Sequence, residues 1–209
     1  MIDRDRSWVR GYAARVTLVV LAGMTIGVSE APATVAEQRA RLPPAAECES
    51  PIAGTWRALT YSEYTFAWYQ HTLEIHQDPT DPTQLTGMHY VEYWRGGPEN
   101  TEPPALCIRH QKGKMTGTGT FRDSEVAFFS GEYELVAEIC GDHVHYNPDN
   151  FTGRVEPERQ EFQAVNNDGG NAVNEPTVFR RIGCLDEGVV RDRNVAPPAF
   201  FPKRRTGGC

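Results

Sequence analysis

Two histidines one residue apart, His143 and His145, stand in the stretch CGDHVHYNPDNFTG at residues 140–153. On a strand, residues two apart face the same side, so such a pair is the beginning of a metal-ligand set. Gly141-Asp142 is a Gly-X link suited to a type II′ turn, which pairs Cys140 with His143 and Glu138 with His145. Glu138, His143 and His145 then supply the three protein ligands that a catalytic zinc site uses beside an open position. The same register puts Tyr133, Leu135, Ala137 and Ile139 on the opposite, apolar face. The histidines are left outside, where a shallow cluster lacks the dry cavity of metal catalysis. The turn at NPDN argues differently, pairing Asn147 with Phe151 and His143 with Val155 and so placing apolar residues on the histidine face. The first register runs over the longer strand, and it favours two solvated imidazoles near a carboxylate. The other histidines, His71, His76, His89 and His110, fall on separate strands, and no HExxH-type spacing joins them.

Other chemistry is thin. NNDGGN at residues 166–171 has oxygen donors for calcium but not the spacing of an EF-hand loop, and Asp-Gly with flanking Asn is ordinary turn vocabulary. Asn150-Phe151-Thr152 matches a glycosylation acceptor. There is no Gly-x-Ser-x-Gly and no phosphate loop, and Ser62, Ser124 and Ser130 sit in no recognisable elbow. The residues therefore point away from an enzyme and require no cofactor. Aromatic side chains are more informative, because Trp56, Tyr61, Tyr64, Phe66, Trp68, Tyr69, Tyr90, Tyr93 and Trp94 crowd the first three strands. Such rings line either a plain core or a cavity for a small apolar or aromatic molecule. Trp68, Tyr90 and Trp94 are the ligand-binding candidates.

What must position these groups is sheet. From Gly54 onward, aromatic and β-branched runs alternate with turn signals such as DPTDPT, RGGPENTEPP, QKGK, NPDN and NNDGG, and no segment shows a helical period. EVAFFSGEYELVAEIC reads as one long strand, HVHYN as a short one, and QKGK as the turn between ALCIRHQ and MTGTGTF. Sequential antiparallel strands in this number leave exposed edges unless the sheet closes. The expected fold is all-β: an antiparallel up-and-down barrel of about 8–10 strands over residues 48–184, with a sandwich as the alternative.

The ends read differently. Arginines at 4, 6, 10 and 15 precede the uncharged run VTLVVLAGMTIGV and then Ala31-Pro32-Ala33, the build of a secretory signal peptide with cleavage after Ala33. The run is shorter than the roughly 20 residues of a transmembrane helix. Residues 34–47 read as a leader and 185–209 as a flexible tail. The expectation is a secreted or periplasmic chain with no stable membrane span. Its formal net charge of −7 gives no clustered basic surface for nucleic acid. In an oxidising compartment the cysteines pair, Cys48 with Cys184 because they bracket the strand-rich region, and Cys107 with Cys140. Cys209 is left over, free or as the link of a dimer.

At IAGTWRAL a family likeness emerges. Gly54 and Trp56 near the start of the first strand, the meander of short strands, and FRRIGC closing the last one resemble the calycin superfamily, in particular lipocalin-like and avidin-like barrels. The resemblance implies that Trp56 floors the barrel, that Arg180 or Arg181 from the final strand covers it, and that a Cys48–Cys184 link ties a terminal segment to the wall. It also implies a ligand-binding barrel without naming the ligand. The Thr-Asp-Tyr element of many lipocalins and a C-terminal helix are missing.

Overall fold

A computed structural model describes residues 35–185 apart from 107, 143, 144, 171 and 172. A short helix α1 (Val35–Arg41) precedes nine strands: β1 (Gly54–Ser62), β2 (Ala67–Gln77), β3 (Gln84–Arg95), β4 (His110–Arg122), β5 (Glu125–Ser130), β6 (Glu134–Cys140), β7 (Asn150–Glu156), β8 (Glu161–Asn167) and β9 (Val173–Gly183). Every pairing is antiparallel. Following the ladders from β1 through β2, β3, β4, β5, β7, β8 and β9 leads back to β1, so eight strands close into a barrel in chain order. This is the expected up-and-down closure, and it is compatible with a calycin-like fold.

The ninth strand does not add a stave. β5 and β6 lie end to end along the same neighbour: Gly117–Arg122 of β4 pairs with β5 and His110–Lys114 pairs with β6. They are one long strand broken at residues 131–133, as the uninterrupted run EVAFFSGEYELVAEIC suggests. The expected partner of that run is wrong, however. β6 pairs with β4, and residues 145–149 form no strand, so the expected Glu138–His145 and Asn147–Phe151 pairings are absent among the described residues. The apolar face expected for β6 holds in part: Tyr133, Leu135 and Ala137 are half-buried while Glu134, Val136 and Glu138 on the other face are exposed, but Ile139 departs from it and is about half exposed. Within residues 145–149, Tyr146 and Asp149 make their contacts with Tyr69 and Asn166 instead.

QKGK is likewise no turn but lies within β4, close to its start. Its glycine faces the interior, where a Cβ at Gly113 would stand 2.0 Å from the Tyr133 ring, and Gly117 yields in the same way to Phe128. The glycines that mimic a turn signal are pits for aromatic rings.

Alternation decides what is inside. Trp56, Leu73, Ile75, Phe128, Phe151, Phe162 and Phe179 are fully buried and fill one half of the barrel. Rings of this kind contribute roughly 1.5–3 kcal/mol each on burial. At this end the Trp56 indole N–H donates to the Ile52 carbonyl at 2.8 Å. The Arg181 guanidinium lies 4.5 Å over the Trp56 ring and donates to the Ser50 and Pro51 carbonyls. Arg181 is thus the arginine that covers the floor; Arg180, on the other face, pairs with Glu161 at 2.7 Å. At Gly54, with φ of 151°, a Cβ would stand 2.8 Å from the Gly183 carbonyl oxygen and 3.2 Å from the Arg181 stem, so a side chain would collide.

Cys48 and Cys184 form a disulfide. Cys140 is also disulfide-bonded, and its expected partner Cys107 lies outside the described residues, as does Cys209. The segment read as a leader is part of the folded unit: Gln38 is buried and bonds both the Pro176 carbonyl and the Val178 N–H, while Arg39 reaches Glu161. Among the described residues no helix is long and apolar enough to cross a membrane.

Candidate metal centre

The odd-numbered residues of β2 and β3 face inward, and two of them are histidines. β2 pairs with β3 so that Leu73 stands opposite His89 and His71 opposite Val91, which makes the two histidines diagonal neighbours on one face. His71 Nδ1 and His89 Nε2 are 3.1 Å apart. Asp149, delivered by the segment between β6 and β7, brings Oδ2 to 3.7 Å from the first nitrogen and 3.9 Å from the second. All three side chains are buried. They are the one group among the described residues in which three His, Cys, Asp or Glu side chains converge closely enough to share a metal ion.

The triangle has the size of a coordination sphere. A point equidistant from corners separated by 3.1, 3.7 and 3.9 Å lies about 2.1 Å from each, and zinc bonds to imidazole nitrogen and carboxylate oxygen run about 2.0–2.2 Å. Supporting groups are also present. The Ser130 hydroxyl is 3.0 Å from His89 Nδ1, and accepting that N–H leaves the Nε2 lone pair facing the triangle. Asn166 donates its amide to Asp149 Oδ1 at 2.6 Å, Tyr146 donates its hydroxyl to Oδ2 at 2.5 Å, and the Ser130 backbone N–H holds the Asp149 carbonyl at 3.2 Å.

Burial dominates the electrostatics. It holds the His71 imidazolium down to about pKa 3 and lowers His89 well below the usual range, with the charge of His71 adding to the second effect. Both rings are therefore neutral at pH 7, the form that binds metal. Burial also pushes the Asp149 carboxyl up to about 7, against the Tyr146 and Asn166 hydrogen bonds that favour its anion. An unpaired buried carboxylate is costly, and a cation beside it reverses that cost.

Below the triangle, the Phe151 ring meets His71 and His89 edge-on at 5.4 and 5.5 Å, and Phe179 meets His71 at 6.3 Å. Above it, Tyr69 stacks on His71 at 6.2 Å and contacts Tyr93 and Tyr146, while Tyr133 stacks on Tyr146 at 5.1 Å. The site lies where the apolar half of the barrel gives way to a tyrosine-rich half.

The residues singled out by sequence stand elsewhere. Trp68 and Trp94 face each other across β2 and β3 on the outer side of the wall, and the even-numbered Tyr90 shares that side. Trp68 lies beneath Arg41 at 5.0 Å, and the two indole N–H groups donate to the carbonyls of Gly97 and Asn100. The 96–100 loop thus covers the two indoles, and none of the three aromatics lines the interior. Glu138 and His145 are exposed, and His143 lies outside the described residues. In the NNDGG turn, Asn167 and Asp168 accept the backbone N–H groups of Gly169 and Gly170, the ordinary turn role. Sequence reasoning missed His71 and His89 because it sought them along the chain. Their signal was that each interrupts an apolar alternation, His71 between Tyr69 and Leu73 and His89 before Val91 and Tyr93.

Compared with protein families, curated proteins and solved structures, the chain has no match.

Proposed function

We propose that this protein is an exported barrel that binds a transition-metal ion of the zinc or copper class inside its wall, through His71 Nδ1, His89 Nε2 and Asp149 Oδ2. The observation that carries this reading is the buried triangle of donors whose centre is about 2.1 Å from each, the length of a zinc–ligand bond. Two imidazoles and a carboxylate suit borderline ions better than the oxygen-rich shells of calcium or magnesium. The reading makes the protein a binder rather than a catalyst. Export accords with its Cys48–Cys184 disulfide.

Protein purified without an affinity tag, stripped with a chelator and titrated with zinc should take up one equivalent and gain thermal stability. His71→Ala combined with His89→Ala should abolish both effects. Uptake unchanged in the double variant would overturn the assignment and return attention to Glu138, His143 and His145.

A second reading rests on the cluster of Tyr69, Tyr93, Tyr133 and Tyr146. These rings suit a small aromatic molecule held at the same end of the barrel. Native mass spectrometry checks this directly, since a retained organic mass supports it and a bare or metal-only mass does not.

A further inference from the structure

We propose that the hydroxyl of Tyr146 is the fourth donor of this centre, so that the metal is enclosed by four protein ligands. The inference rests on the metal-binding reading above and goes beyond it by deciding whether the ion has an open position.

A three-donor site is completed either by water or by a further side chain, and the surroundings restrict the choice. The floor offers only the phenyl rings of Phe151 and Phe179. The Ser130 hydroxyl is engaged at His89 Nδ1, the Tyr69 hydroxyl donates to Thr65 Oγ1 at 3.0 Å, and Asn166 stands at Asp149 Oδ1 rather than at the Oδ2 that faces the histidines. Tyr146 differs from these, because its hydroxyl bonds the Asp149 oxygen that faces the two histidines. Donors around a tetrahedral ion with bonds of about 2.0–2.1 Å stand about 3.3 Å apart. The 2.5 Å between Tyr146 Oη and Asp149 Oδ2 therefore needs to widen by less than about 1 Å. The two residues share one short segment, and Tyr133 stacking on the Tyr146 ring steadies it.

Coordination replaces the O–H···O bond. The phenol proton passes to solvent as the metal–oxygen bond forms, and any proton on the Asp149 carboxyl leaves likewise. The His71 proton that bridges Nδ1 to His89 Nε2 in the metal-free protein moves to Nε2 of the same ring, so that Nδ1 offers a lone pair. A divalent ion beside the hydroxyl favours the deprotonated oxygen as its ligand. Two neutral imidazoles, one carboxylate and one phenolate leave a divalent ion with no net charge to solvate, and four protein donors are the closed type of site that holds rather than reacts.

Copper(II) chloride added to the stripped full-length protein provides the test. A visible phenolate-to-copper charge-transfer band should appear, and resonance Raman excitation within it should return tyrosinate ring modes. Tyr146→Phe should lose the band while retaining copper at reduced affinity by metal analysis, and Tyr133→Phe should keep it. Copper bound at His71 and His89 with no such band or ring modes in the unaltered protein would overturn the fourth ligand and leave the three-donor site standing. Failure of the unaltered protein to bind copper or zinc at all would remove both.

Discussion

Replacing Asp149 by asparagine should make the metal-free protein more stable and the metal-loaded protein less so. The carboxyl is lifted from an ordinary value of 3.8 to about 7. The folded chain therefore holds a proton that the unfolded chain has already released. The cost is absent below about pH 3.8, grows as pH rises toward 7, and is constant above that. At about 1.36 kcal/mol per unit, it reaches roughly 4 kcal/mol at pH 8 and roughly 1.5 kcal/mol at pH 5. Asparagine removes the charge and retains an oxygen for the Tyr146 hydroxyl, and a turn of the Asn166 amide would present its buried, unpartnered Oδ1 to the new N–H. In chelator, urea denaturation of Asp149→Asn should show a gain over the parent of about 2–4 kcal/mol at pH 8, shrinking toward zero by pH 4. With zinc present, the parent should be stabilised by mass action and the variant left behind, so that their order reverses. A stripped variant less stable than its parent at pH 8, or a difference that ignores pH, would refute the reasoning.

Further outcomes follow from other contacts. Ser130→Ala removes the group that orients His89 Nδ1 and should weaken zinc binding about 10–100-fold in a competition titration, with little change in the far-UV spectrum. Glu161 is opposed by burial yet lowered below its ordinary 4.5 by hydrogen bonds from Arg39 and Arg180. Its contribution is present above pH 4.5 and lost as pH falls through the lowered value, so Glu161→Gln should flatten the acid limb of a denaturation series.

How much of this could be read beforehand depends on the range of the signal. Alternation is local, and it reveals the strands, their closure in chain order and even the long run that becomes β5 and β6. Pairing partners are not local: β6 takes β4 because β5 already leads along it, and nothing within GEYELVAEIC says so. Of the two arginines in FRRIGC, Arg181 lies over Trp56, and alternation from Phe179 selects it over Arg180. The aromatic candidates went astray by one position: Trp68 and Trp94 lie on the even-numbered face, whereas His71 and His89 lie on the odd one. A His-x-His pair is conspicuous in text, but two histidines eighteen residues apart become neighbours only through the β2–β3 register.

The donors are unequally mounted. Two stand on adjoining staves of a hydrogen-bonded wall, while Asp149 and Tyr146 arrive together on one connecting strap pinned by Ser130 and Asn166. In such an arrangement the wall governs which ion is accepted, and the strap governs how long it stays. Dwell time then follows the opening of a few residues, and loosening the pins hastens departure without altering the choice of guest.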